Sequence, residues 1–112
     1  DADYLSHDRA VVAAYRTDAR VHDRISGRLA RFIADEGPAV VRQAPAWTVP
    51  TLLMYAGADR LVNPSGSRAF AQAAPAAVVA SRAFDVLYHE IFNEAAAEPV
   101  YDCLTQWLDA HF

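Results

Sequence analysis

TLLMYAGADRLV, running from Thr51 to Val62, is the stretch that decides the reading of this chain. After its first residue the run from Leu52 to Ala56 has no polar alternation. A strand covered on one face alternates, whereas a strand covered on both faces reads as a continuous apolar run, as in parallel sheets flanked by helices. Gly57-Ala58 then turns the chain, and Asp59 follows at once. A carboxylate is thereby placed just beyond the carboxyl end of a buried strand, where reactive groups gather in open parallel sheets.

Working outward, Asn63-Pro64 reads as a helix start, an N-cap followed by proline at the first helical position. That helix is expected to end before Pro75. Val78 to Phe84 is a second strand, and Arg82 within it suits an edge position. Residues 85–94 form a loop. The last helix, over about residues 98–110, puts Val100, Cys103, Leu104, Trp107 and Leu108 on one stripe. Upstream, Ser6 or Asp8 caps a short helix through about Asp18. A longer helix from about Asp23 carries His22, Ile25, Leu29, Phe32 and Ile33 at helical spacing. Gly37-Pro38 should break or kink it.

Strand, helix, strand, helix in this order predicts an α/β fold with two parallel strands joined by a right-handed crossover. Two strands are too few. A strand as apolar as Thr51 to Ala56 needs a neighbour on its other edge, so the sheet is incomplete within this sequence. Either the chain pairs with itself, giving a homo-oligomer through the open edge, or the rest of the sheet lies upstream in a longer protein.

The totals narrow the function. The 112 residues fit one domain at most, and about half are apolar (54%). The net charge is −4, with ten scattered arginines and no lysine. No basic run suits nucleic acid, so no nucleic-acid partner is expected. No apolar run approaches the roughly 18 residues of a membrane span. The single cysteine, Cys103, is assigned to packing. The alanine-rich, lysine-free composition fits a GC-rich bacterial coding sequence, and the expected compartment is the cytoplasm. No His or Cys pair has zinc-ligand spacing and no glycine-rich phosphate loop is present, so neither metal nor cofactor is expected.

The loop after the second strand contains Tyr88-His89-Glu90. A carboxylate, Asp59, and an imidazole, His89, therefore leave two neighbouring strands at the same edge of the sheet. An Asp that fixes a His tautomer and stabilises the imidazolium is half of the charge apparatus of nucleophilic catalysis. Each residue alone has a plain alternative, since an Asp after Gly-Ala caps a turn and a loop His is solvated. Asp85 is a rival acid four residues before His89, read here as a loop solvator. Glu90 is expected to bond locally and shape its loop. His7, His22 and His111 lack such company and are given surface or packing roles, although His22 lies on an apolar face. None of Ser6, Ser26, Ser65, Ser67 and Ser81 stands in Gly-x-Ser-x-Gly, so a nucleophile is missing.

These residues resemble a known family. VPTLLMYAGADRLVNPSGSRAF, then FDVLYHEIFNE and the closing WLDAHF, are similar to the C-terminal half of α/β-hydrolases of the monoacylglycerol lipase and lysophospholipase-like serine hydrolase group. The opening LSHDRAVVAAYRTDARVHDRISGRLARFI is similar to the region after that family's lid, leading into a helix that packs on the sheet. The resemblance implies a partial α/β-hydrolase fold, with residues 1–46 as the post-lid helical segment and 47–112 carrying the acid and the histidine. It implies catalytic roles for Asp59 and His89 and a serine supplied from upstream, with the chain alone inert. It also implies a lipophilic ester as substrate of the longer parent. Where the family often has Pro-Gly before its histidine, this chain has Asp85-Val86-Leu87. Two other readings stand beside it: a non-catalytic α/β association module, and a peptidase or other carbonyl hydrolase of the same fold.

Overall fold

The computed structural model describes residues 1–22 and 24–112. Helix α1 (Arg9–Thr17) is capped by Asp8, whose carboxylate accepts the Ala10 N–H. Helix α2 (Gly27–Gln43) begins after Ser26, whose hydroxyl accepts the Leu29 N–H. Strand β1 is Thr51–Ala56, helix α3 is Ser65–Ala73, strand β2 is Val79–Phe84 and helix α4 is Glu98–His111. Short 3-10 turns lie at Ala2–Tyr4, Ala44–Ala46 and Ile91–Asn93.

The two strands pair in parallel over their whole length, Thr51 opposite Val79 through Ala56 opposite Phe84. They form a two-stranded sheet, with no further strand on either edge among the described residues. Its two faces feed two apolar clusters. On one face Ala56 and Phe84 meet Leu87, Ile91 and Val100, with Met54 and Cys103 packed against them. On the other Val79 meets Ala44 and Ala74, with Leu53, Trp47 and Phe70 alongside. Leu53 and Met54 thus point to opposite faces, the period-two rule for a strand between two helical layers. Cys103 is a packing residue, as its place on the α4 stripe indicates.

Two expectations need correction. Of the break or kink expected at Gly37-Pro38, the break is absent, because α2 runs through Pro38 to Gln43 as one helix. A proline removes one helical hydrogen bond and clashes with the Cβ of the preceding residue. Glycine has no Cβ, so Gly37 relieves the clash, and the helix tolerates the one bond that Pro38 cannot make. The expected start at Asp23 lies outside the described residues. Nor does α2 pack on the sheet. It lies against α3 and the Ala44–Ala46 turn, with no buried residue of its own. Leu29, Phe32 and Ile33 face outward, together with Ile25 ahead of the helix. A smaller shift affects α3, which starts at Ser65 and not at Pro64. Asn63 still turns the chain, since its side-chain oxygen accepts the Ser65 N–H at 2.9 Å.

Candidate active site at the strand ends

Backbone geometry brings the two strand-end turns together. The Gly57 N–H donates to the Phe84 carbonyl (2.8 Å) and the Ala58 N–H to the Leu87 carbonyl (3.2 Å). A Cβ on Gly57 would lie 2.5 Å from the Asp85 Cα, so only glycine permits this approach. The glycine of the opening motif is therefore required sterically, because it lets the turn that carries Asp59 lie on the turn that leads to His89.

Asp59 and His89 meet. One carboxylate oxygen, Oδ2, is 2.8 Å from the His89 Nδ1. The other, Oδ1, accepts the N–H groups of Leu61 (2.8 Å) and Val62 (2.9 Å). The carboxylate is thus held from both sides. The plain alternative for Asp59, capping its turn, is also true of it: one oxygen caps while the other holds the imidazole. The Asp59 side chain is only 11% exposed, whereas that of His89 is 37% exposed. Among the described residues no hydrogen bond engages His89 Nε2. An ionised Asp against Nδ1 keeps the proton there and leaves Nε2 as the acceptor.

Asp85, the rival acid, is exposed and has its backbone against Gly57, whereas the His89 ring nitrogen is on Asp59. Glu90 bonds locally, its Oε2 accepting from Asn93 Nδ2 at 2.8 Å. His111 stacks on Trp107 within α4. His22 is exposed and lies ahead of α2, not on a helical apolar face. His7 departs furthest from expectation. Its Nδ1 is 2.9 Å from Oε1 of Glu94, a residue that reads as mere loop. Glu94 is buried, and two of its partners, His7 and Ser6, lie 87 and 88 residues away along the chain, so no local spacing could have revealed them. Among the described residues no group of three His, Cys, Asp or Glu side chains is placed to hold a metal ion.

A groove of about 880 Å³ lies between α2 and α3. Its walls include Val40, Val41, Trp47, Leu53 and Phe70, and neither Asp59 nor His89 borders it.

Comparison with known proteins matches residues 1–96 to the family described as serine aminopeptidase S33, Hydrolase_4. The chain belongs to this α/β-hydrolase family. Within it, the chain is 36% identical over 112 residues to the monoacylglycerol lipase of Mycolicibacterium smegmatis, covering 99% of this chain and 40% of that protein. It is 30% identical over 109 residues to an uncharacterized abhydrolase domain-containing protein of Dictyostelium discoideum, covering 96% of this chain and 12% of that one. The crystal structure of Paleococcus ferrophilus monoacylglycerol lipase superposes with a TM-score of 0.91 at 31% identity, covering 100% of this chain and 44% of that one. The hydrolase chain thus spans less than half the length of these relatives. Its incomplete two-stranded sheet with flanking helices is a part of their fold. No described helix is long and apolar enough to cross a membrane.

Proposed function

We propose that this chain supplies the acid and the base of a Ser-His-Asp triad to a serine hydrolase acting on carboxylic esters, acylglycerols foremost. The observation that carries the reading is the 2.8 Å contact between Asp59 Oδ2 and His89 Nδ1 at the carboxyl end of the sheet. Asp59 keeps the Nδ1–H tautomer and stabilises the imidazolium as it forms. His89 Nε2 takes the hydroxyl proton of a serine contributed by sequence preceding Asp1. The serine oxygen attacks the ester carbonyl, and the protonated imidazole then gives the proton to the departing alcohol. Water enters the acyl-enzyme by the same route in reverse. The order Ser, Asp, His suits the fold. Without the serine and the oxyanion-hole donors, the 112 residues alone are inert.

The experiment is labelling with a fluorophosphonate serine probe, paired with ester hydrolysis. The full-length gene product should label at a serine ahead of Asp1 and hydrolyse a monoacylglycerol, while the 112-residue chain does neither. In the full-length protein Asp59→Asn should lower kcat on the order of 10⁴-fold by spoiling the tautomer. Labelling of the short chain at Ser65 or Ser67 would overturn the scheme.

The family's description as an aminopeptidase favours a second reading, in which the same Asp and His serve peptide bonds. Faster turnover of an aminoacyl anilide than of a monoacylglycerol would select it.

A further inference from the structure

The His89 loop is held by three successive backbone amides, and each leads to the N-terminal segment or to the carboxylate that fastens it. The Tyr88 N–H donates to Glu94 Oε1 at 2.6 Å. The His89 N–H points to the Tyr4 carbonyl (3.4 Å) and the Glu90 N–H to the Leu5 carbonyl (2.8 Å). The segment holding the last two amides is itself fastened to Glu94. The His7 N–H donates to Oε2 at 2.8 Å, the His7 ring Nδ1 is 2.9 Å from Oε1, and the Ser6 hydroxyl lies 3.3 Å from Oε2. That hydroxyl also donates to the Asn93 carbonyl at 2.8 Å and accepts the Asp8 N–H at 2.9 Å. The His7 ring stacks on Tyr88, with centroids 3.7 Å apart. Tyr4 reaches the acid turn as well, because Arg60 donates to its hydroxyl at 3.0 Å and lies over its ring.

We infer that Glu94 is a positioning residue for His89: its carboxylate ties the backbone ahead of the imidazole to the N-terminal segment that holds the backbone behind it. The inference rests on the triad reading above. The Glu94 side chain is only 1% exposed. Stability alone is a weak account of a buried charge, since well-packed apolar groups often do as well. What an apolar group cannot do is accept from the Tyr88 N–H, the His7 N–H and the His7 ring together. Gln at this position keeps the shape but presents an N–H₂ where one carboxylate oxygen now accepts, so one of those anchors is lost. A reacting group misplaced by about 1 Å can cost on the order of 10²-fold in rate.

The test reads the tautomer of neutral His89 from the ¹⁵N shifts of its two ring nitrogens, in histidine-labelled protein of the full length its gene encodes. Wild type should show the Nδ1–H form, and Asp59→Asn should lose it. Glu94→Gln should give a mixture of tautomers and a kcat reduced about 10- to 100-fold, with KM little changed. Glu94→Asp should lie between Glu94→Gln and wild type. A folded Glu94→Gln protein with the wild-type tautomer and kcat would overturn the positioning role. A wild type lacking the Nδ1–H form, or unaltered by Asp59→Asn, would instead overturn the triad reading. If Glu94→Gln does not fold, His7→Gln decides, since it keeps the carboxylate and removes one partner. It should shift the mixture less and in the same direction, and no shift there would count against the role.

Discussion

Partial burial pushes the Asp59 carboxyl up, yet the Val62 N–H, the His89 ring and the Leu61 N–H together outweigh it and hold the group below the ordinary carboxylate range. Glu94 follows the same pattern. Burial raises it, and the Tyr88 and His7 N–H groups with the His7 ring bring it lower. A carboxylate whose pKa is lower in the folded than in the unfolded chain adds stability that is fully present above its unfolded pKa. That stability is lost as pH falls through the lowered folded value. Urea midpoints measured from neutral pH into acid should therefore drop for wild type. In Glu94→Gln they should start lower at neutral pH and fall less steeply, because one of the carboxylates that the fold holds low is gone. Parallel curves for the two proteins would show that Glu94 does not contribute to the acid response. Asp59 and His89 are readable in the sequence because each follows an apolar strand within a few residues, and parallel pairing fixes where such positions meet. Glu94 and His7 are not readable there, because a contact across 87 residues leaves no periodic mark.

Among the elements, β1 and α4 declare themselves through strong apolar patterns and β2 through a weaker one, and the structure places all three at or within a residue or two of the expected bounds. Helix α2 does not, because Gly37-Pro38 is a local stop signal overruled by the turns on either side. The overruling has a measurable cost. Pro38 cannot donate to the Ala34 carbonyl, the partner four residues back, and a proline within a helix costs up to about 3 kcal/mol relative to alanine. Pro38→Ala should restore that bond and slow amide hydrogen exchange through Gly27–Gln43. Unchanged protection across α2 would mean that the helix is already broken in solution at Gly37. The apolar stripe Leu29, Phe32 and Ile33 reads as a packing face, and its periodicity is genuine. Periodicity reports that a face is apolar and is silent on whether the partner lies within the same 112 residues.

For the molecule as a whole, two features lack a partner among the described residues: that stripe and the second edge of β1. An apolar strand with unpaired N–H and C=O groups along one edge is a template for another strand. The isolated 112-residue chain should associate, with a second copy on the β1 edge as the simplest arrangement. Light scattering over a dilution series should report a dimer or larger species, and a monomer at every concentration would count against this. In a longer chain the same edge and stripe would be covered by residues the relatives possess beyond the span matched here, and association through them should then disappear.

The clasp between Ser6, His7 and Glu94 joins the two ends of the chain and so bears on the order in which the fold can close. Helix α1 can form while β1 is still being made, but the Tyr88 N–H has no carboxylate to meet, and the Ser6-His7 segment no anchor, until residue 94 has been added almost ninety residues later. Such distant closures are slow relative to local helix formation. The imidazole should therefore be among the last groups to settle as the chain is made.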